Sequence, residues 1–486
     1  MNNFFKINRY IICLYVFYTF TFLLTELVAN TQISMRWGAG YVIGTYSFGI
    51  LCTGLGYLLF GLFSIKDMEV GHRKKVLLAC KGLYCVLMAI GLLTPINGIS
   101  LAIVFCFALL LFGYVGGFVH FCACCSLQNS QHTGRVIGIS MCIATILQYL
   151  VQKFAVTVPF LWVAMLIGAL NIGYLVWKQP DNWAFENLLP YNASPEECPR
   201  PAWVALIIVS LISLSLGFND SVVTDYDAKG ILILSEWPRL FYAIGLLVAG
   251  AIADILKRKY LAISTLSAYL LSFLAVGFLG PTGNMNASMS FMYCYCGFYV
   301  IYLTVSFLDI APKTRHPVLW AGMGRTVRSI VTAMTILPAM TFFEKCGLEG
   351  ILVANTIAVI GVVFVIWYSE NRDYMERFEQ LKTELTAKRS EKVNKFEEFV
   401  SKFSMTPRET EVLQIVLTTS ATTKEIAAQL SISERVCQRY LTSIYEKTGT
   451  SSRIDLMLSY YGKKLELPAT KSNDDSQDST SLVEVV

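Results

Sequence analysis

The sequence predicts an all-α protein in two parts: a polytopic membrane bundle of about twelve helices, then a small soluble four-helix domain. Three observations predict it. Charged residues make up only 15% of the 486 and hydrophobic ones 55%, whereas a soluble globular chain carries about 25% charged residues. Apolar stretches long enough to cross about 30 Å of hydrocarbon recur through residues 1–369. Half of the charge is crowded into the last quarter: residues 370–486 hold 17 Lys/Arg and 19 Asp/Glu, against 22 and 15 in residues 1–369. Such a chain is not disordered, fibrous or a small disulfide scaffold. Its net charge of +5 is +7 from the first part and −2 from the second.

The spans fall near 10–29, 40–64, 76–94, 99–121, 134–154, 158–177, 202–219, 237–256, 260–279, 288–308, 318–341 and 350–368. The first apolar run has no small-residue cleavage site before Arg36, so a cleavable signal is not expected. With both termini inside, the inner loops carry Lys6, Arg9, Lys66, Arg73, Lys74, Lys75, Arg135, Lys178, Arg200, Lys257, Arg258, Lys259, Lys313 and Arg315. The outer loops carry only Arg36, Lys153, Lys229, Arg239 and Lys345. The positive-inside rule therefore predicts a multi-pass protein of the inner (plasma) membrane with both termini cytoplasmic.

Most of the fourteen cysteines lie inside apolar stretches, where Cys serves as a small hydrophobe. Cys122, Cys124 and Cys125 cluster near His120 and His132, but the spacing is not C-x-x-C and no second pair matches it. No metal site is expected.

Two sets of six spans flank a Pro-rich loop, 179–201. After the eighth span comes Gly250-Ala251-Ile252-Ala253-Asp254-Ile255-Leu256-Lys257-Arg258-Lys259. A Gly four residues before an Asp, then a basic cluster, resembles the loop signature of the major facilitator superfamily. Gly71-His72-Arg73-Lys74-Lys75 keeps only its basic end. The resemblance implies two six-helix bundles around a central cavity, with Gly250, Asp254, Lys257 and Arg258 helping to latch one conformation. Ionisable residues inside spans are costly and are candidates for function. Glu26, His120, Glu236, Arg239, Asp309, Arg325 and Arg328 qualify by position. Arg325 and Arg328 could face the cavity and attract an anionic ligand, or pair with Asp309. No acidic residue falls squarely mid-span in this placement, which speaks against proton-coupled transport.

Residues 370–404 form a charged helical linker. Tyr374, Phe378, Leu381 and Leu385 follow helical spacing, as do Phe396, Phe399 and Phe403. The polar run Thr386–Lys392 between them predicts two short amphipathic pieces with an interruption, serving as a dimerising linker or a plain spacer.

Residues 405–467 contain the most informative pattern. Thr406-Pro407-Arg408-Glu409 and Thr422-Thr423-Lys424-Glu425 are capping boxes that start two helices. Ser433 caps a third helix, with Cys437, Leu441 and Ile444 inward and Gly449 at its end. A fourth runs over about 453–461. Two short helices joined by a tight link describe a helix-turn-helix. The residues Thr406 to Leu413, Lys424-Glu425-Ile426-Ala427, Leu430, Ile432-Ser433, Ile444-Tyr445-Glu446-Lys447 and Ser452-Arg453 resemble the LuxR-type DNA-binding domain. The whole layout is similar to the membrane-embedded LuxR-type regulators of gut actinobacteria, in which a twelve-helix, transporter-like region precedes such a domain. This chain departs from the family at Val436-Cys437-Gln438, where Thr-Val-Lys is usual, and at Tyr440, where His is usual. The connection Ser420–Thr422 lacks the family's Gly and is about one residue longer. Sequence preference should differ accordingly.

The resemblance sends the third helix into the major groove. Its outward face carries Gln438, Arg439 and Thr442 as base contacts; Gln suits adenine and Arg suits guanine. Thr423, Lys424, Ser433, Arg435, Lys447 and Arg453 are the candidate phosphate contacts. Residues 405–464 hold eight basic and six acidic side chains, so a monomer should bind weakly and a homodimer on a two-fold site is expected. Residues 468–486 read as a disordered tail. Receiver, Walker A, kinase, Ser-His-Asp and paired-carboxylate patterns are not visible, so neither enzyme activity nor a cofactor is expected. The expected function is a membrane-bound one-component transcription regulator. Its partners would be double-stranded DNA, the lipid bilayer and an unknown small-molecule ligand sensed by the membrane part. A secondary transporter of the major facilitator type with an attached regulatory domain is the alternative.

Overall fold

The computed structural model describes residues 2–63, 70–128, 130–154, 157–178, 199–228, 237–255, 258, 260–279 and 285–461. Lys257 of the basic cluster, Glu236, most of the Pro-rich loop and the expected disordered tail lie outside the described residues. The chain divides into two compact units, Met1–Asn371 and Arg372–Val486.

The first unit is a helical membrane bundle. Its helices are α1 (Asn2–Arg36), α2 (Val42–Leu62), α3 (Val70–Leu93), α4 (Gly98–Leu127), α5 (Thr133–Phe154) and α6 (Val158–Lys178), then α7 (Arg200–Ala228), α8 (Leu240–Ala253), α9 (Leu261–Leu279) and α10 (Met285–Ile310). The helical stretch Pro317–Lys402 bends at Gly347, where φ is 62° and ψ is −160°. It therefore divides into α11 (317–346) and α12 (348–402). Ten of these helices are long and apolar enough to cross a membrane, and two shorter apolar ones complete the twelve expected. The observed helices overrun the apolar spans, because backbone hydrogen bonding continues past the first charged residue. At one such end Arg36 of α1 donates to the carbonyls of Gly91, Leu92 and Thr94, at 3.1, 2.7 and 2.7 Å. It thereby satisfies carbonyls that the end of α3 leaves open.

Within the first six helices α1 packs on α4, α5 and α6, and α2 packs on α4. In the second six, α8 and α9 pack on α10. The two sets meet where α5 crosses α8. That crossing is close because both helices present glycine: a Cβ on Gly134 would collide with the carbonyl of Gly250, and one on Gly138 would lie 2.6 Å from Leu246 O.

The second unit begins within α12, and here one expectation is corrected. The linker is a single unbroken helix through Lys402, not two pieces. Thr386–Lys392 is polar but contains neither Gly nor Pro, so nothing in it stops a helix. The last turns of α12 also join the domain core. Phe399 is buried with Val412, Leu413, Ile444 and Leu456, and its ring lies 5.3 Å from that of Tyr460. Phe396 and Phe403 pack against the same cluster. Beyond it come α13 (Pro407–Thr418), α14 (Thr423–Gln429), α15 (Glu434–Thr448) and α16 (Arg453–Tyr461).

Candidate nucleic-acid interface and membrane cavity

Helix α15 starts at Ser433, whose hydroxyl accepts from Val436 N at 3.4 Å, and stops at Gly449, which takes the left-handed conformation at φ 66°. Cys437, Leu441 and Ile444 are buried against the core. The opposite face therefore stands clear: Arg435, Gln438, Arg439 and Thr442 are all exposed. Their spacing places them on one side of the helix, as base readout needs. Thr442 donates to Gln438 O at 3.0 Å, so its hydroxyl oxygen can still accept. At the start of α14, Lys424 is exposed and Thr423 half-buried. The Thr422 box that positions them is complete, with Thr422 N donating to Glu425 Oε2 at 2.7 Å.

Two of the expected phosphate contacts already have partners within the domain. Arg453 is spent inside the domain: it donates to Ala421 O and Thr419 O, and to Val416 O at 3.0 Å. It seals the end of α13 and braces the longer connection before α14. Lys447 donates to Glu409 Oε2 at 2.6 Å and to Ser404 O at 3.1 Å. Glu409, only 4% exposed, also accepts from Thr406 N at 2.7 Å and from Ser443 at 2.6 Å. Burial raises its carboxyl, but the Lys447 ammonium, Ser443 and the Thr406 cap outweigh that and hold it at about 2. The capping box was legible in the sequence. The tertiary pair with Lys447 was not, because the partners are 38 residues apart.

The membrane unit holds a partly open cavity of about 490 Å³ between its two sets of helices. Along α1 its wall runs from Tyr18 to Met35, roughly 25 Å at helical rise. Arg325 and Arg328 both line it, joined by Glu26, Asp220 and Arg239. Tyr46, Tyr57, Tyr242 and Tyr299 add hydroxyls. The arginines' alternative partner is taken elsewhere: Asp309 pairs with Arg258 at 2.7 Å. Glu26 sits ten residues inside the end of α1, and Asp220 lies eight residues inside the end of α7. The expectation of no acidic residue squarely mid-span is corrected for Glu26, which lies well inside the span Asn8–Arg36, whereas Asp220 is the last residue of the span Arg200–Asp220. Asp220, one residue past the expected span 202–219, was not among the candidates. His120 lies behind the wall rather than on it, 1% exposed, with its ring 5.3 Å from Tyr57.

Asp254 closes the opposite end of the unit. Its carboxylate accepts from the amides of Gly134 at 2.7 Å and Arg135 at 3.0 Å, the first turn of α5. Anions are favoured at a helix N-terminus. Arg258 bonds Asp254 at 3.1 Å and Asp309 at 2.7 Å. Gly250 lies one turn before Asp254 and allows the close crossing with Gly134. Gly250, Asp254 and Arg258 thus come together across the two halves. Cys122, Cys124 and Cys125 are buried in α4, and Cys124 Sγ lies 3.8 Å from Leu308 O.

Residues 403–459 match the family described as bacterial regulatory proteins, luxR family. Over 56 residues the chain is 45% identical to the response regulator Rre1 of Synechocystis sp., covering 12% of this chain and 24% of that protein. The chain thus spans about a quarter of the length of this curated relative. Its backbone is also similar to the crystal structure of the human organic anion transporter MFSD10 (TETRAN), with a TM-score of 0.52 and 12% identity over 74% of this chain and 99% of that one. The chain therefore joins a multi-pass membrane region of major-facilitator-like fold to a C-terminal LuxR-type DNA-binding helix-turn-helix domain.

Proposed function

We propose that the protein is a one-component transcription regulator of the plasma membrane, with both termini in the cytoplasm. A small molecule enters the central cavity, and its differential affinity for two arrangements of the six-helix halves shifts their balance. That shift reaches the DNA-binding domain through α12 and changes its dimerisation or its access to a two-fold DNA site. The observation that carries this reading is α12 itself. It begins beyond the helix that bears Arg325 and Arg328, and its far end, at Phe399, is part of the core on which the exposed face of α15 is built. The test uses the full chain in lipid nanodiscs and DNA from upstream of its own and neighbouring genes, at two salt concentrations. Specific, salt-sensitive binding that Gln438→Ala/Arg439→Ala abolishes supports the reading; equal affinity for scrambled DNA overturns it.

The latch favours a second reading, a secondary transporter that also regulates genes. Asp254 ties α5 to the second half by bonds that an alternating-access cycle would break and remake. Counterflow of the ligand in proteoliposomes separates the two.

A further inference from the structure

We propose that the Arg325 end of the cavity is a binding site for the carboxylate of a small organic monoanion; this gives a ligand class to the sensing role proposed above. The first argument is hydrogen bonding. Arg325 Nε, like Arg328 Nε, is buried without a hydrogen-bond partner among the described residues, and the guanidinium of Arg325 makes a long contact, Nη2 to Met141 Sδ at 3.9 Å. A guanidinium has five donors in a planar fork that matches a carboxylate. A carboxylate would satisfy the fork.

The second argument is charge. The cavity wall carries Arg239, Arg325 and Arg328 against Glu26 and Asp220. Both carboxylates act on Arg328, and Arg239 acts on Glu26. Arg325 acts on Glu26 as well, and three arginines against two carboxylates leave the wall with one surplus positive charge. One surplus charge matches a monoanion better than a phosphate dianion. The third argument is the surroundings. Tyr18 and Tyr57 line the cavity with their hydroxyls 2.5 Å apart. Tyr15 Oη, buried behind the wall, has no hydrogen-bond partner among the described residues. Tyr15, Tyr18 and Tyr57 all lie within electrostatic reach of Arg325. Hydroxyl donors gathered around one guanidinium suit an oxyanion. The volume of about 490 Å³ suits a small organic body behind it.

The experiment measures thermal protection and calorimetric binding by the purified full chain in nanodiscs. The probes are benzoate, phenylacetate and hexanoate, each against its neutral amide, with inorganic phosphate alongside. At least one carboxylate should bind about tenfold or more tightly than its amide. Arg325→Gln should lose that preference, while Arg325→Lys should keep part of it. Unliganded melting and gel filtration of both variants confirm that they are folded. Amides binding as well as acids, phosphate binding better than acids, carboxylates binding Arg325→Gln undiminished, or none of the three acids binding would each overturn the assignment. Carboxylate binding without any change in DNA affinity would leave the site standing and sink the sensing role instead.

Discussion

Arg439 and Arg453 show how a single side chain changes meaning once its surroundings are known. Both are arginines in the helix-turn-helix segment, yet one is exposed on the α15 face and the other feeds three carbonyls. Arg439→Ala should cost about 1–3 kcal/mol on the cognate site and relax discrimination at one base pair. Competition binding against single-base variants of the site measures it, and uniform loss on every sequence would make Arg439 a phosphate contact. Arg453→Ala should instead lower the melting temperature by removing charged hydrogen bonds worth about 1.5–3 kcal/mol, while leaving the salt dependence of DNA binding unchanged. Glu409 gives a pH prediction of the same kind. Its carboxyl is held at about 2, below the usual 4.5. The stability it contributes is therefore complete above about pH 5 and is lost as pH falls toward 2. Domain unfolding between pH 5 and 2 should be shallower in Glu409→Gln, which starts out about 2 kcal/mol less stable. Parallel curves for the two proteins would refute this role.

At the scale of the element, the helices announce themselves and their ends do not. Ten membrane-length helices among the described residues were legible because twenty apolar residues in a row have few other uses. Their ends were not, because a hydropathy window closes at the first charge while the backbone goes on hydrogen bonding. That error placed Glu26 near a helix end and left out Asp220, the two acids that face the three arginines in the cavity. In the soluble domain the three N-caps were legible because each needs only residues three apart: Thr406 with Glu409, Thr422 with Glu425, and Ser433 with Val436. The continuity of α12 was missed because loss of amphipathicity over Thr386–Lys392 was read as loss of helix. A helix that leaves the bilayer and reaches water needs no apolar stripe. Its continuity matters to the proposed coupling. Ala387→Pro should break it at a cost of about 3 kcal/mol. DNA binding should survive while the response of DNA affinity to ligand disappears, as read by titrating ligand into the nanodisc complex. A full response in the proline variant would remove α12 from the signal path. Phe399→Ala tests the far end differently: it should unfold the domain core by about 3–5 kcal/mol and lose DNA binding itself.

For the whole molecule the question is what holds one arrangement of the two halves against the other. The described structure has its cavity walled along the α1 length toward Met35 and its opposite end shut by Asp254 on the first turn of α5. Two chemically different devices maintain that closure. One is electrostatic: the Asp254 carboxylate meets two backbone amides and the Arg258 guanidinium, which itself reaches Asp309. The other is steric: Gly134 and Gly250 let α5 and α8 touch backbone to backbone. Asp254→Asn weakens the first without adding bulk, and Gly250→Leu blocks the second without touching a charge. Charged hydrogen bonds of about 1.5–3 kcal/mol move a two-state balance by about tenfold to a hundredfold. If the latch sets the balance that the DNA-binding domain reads, both variants must move ligand-free reporter transcription in the same direction and narrow its response to ligand. The direction itself depends on which arrangement favours DNA. The agreement between the two does not, because each disfavours the same closed state for its own reason. Reporter output, normalised to the amount of protein in the membrane, decides it. Opposite shifts, or an unchanged output in both, would separate the latch from transcriptional control and leave it a part of the transport-like fold alone.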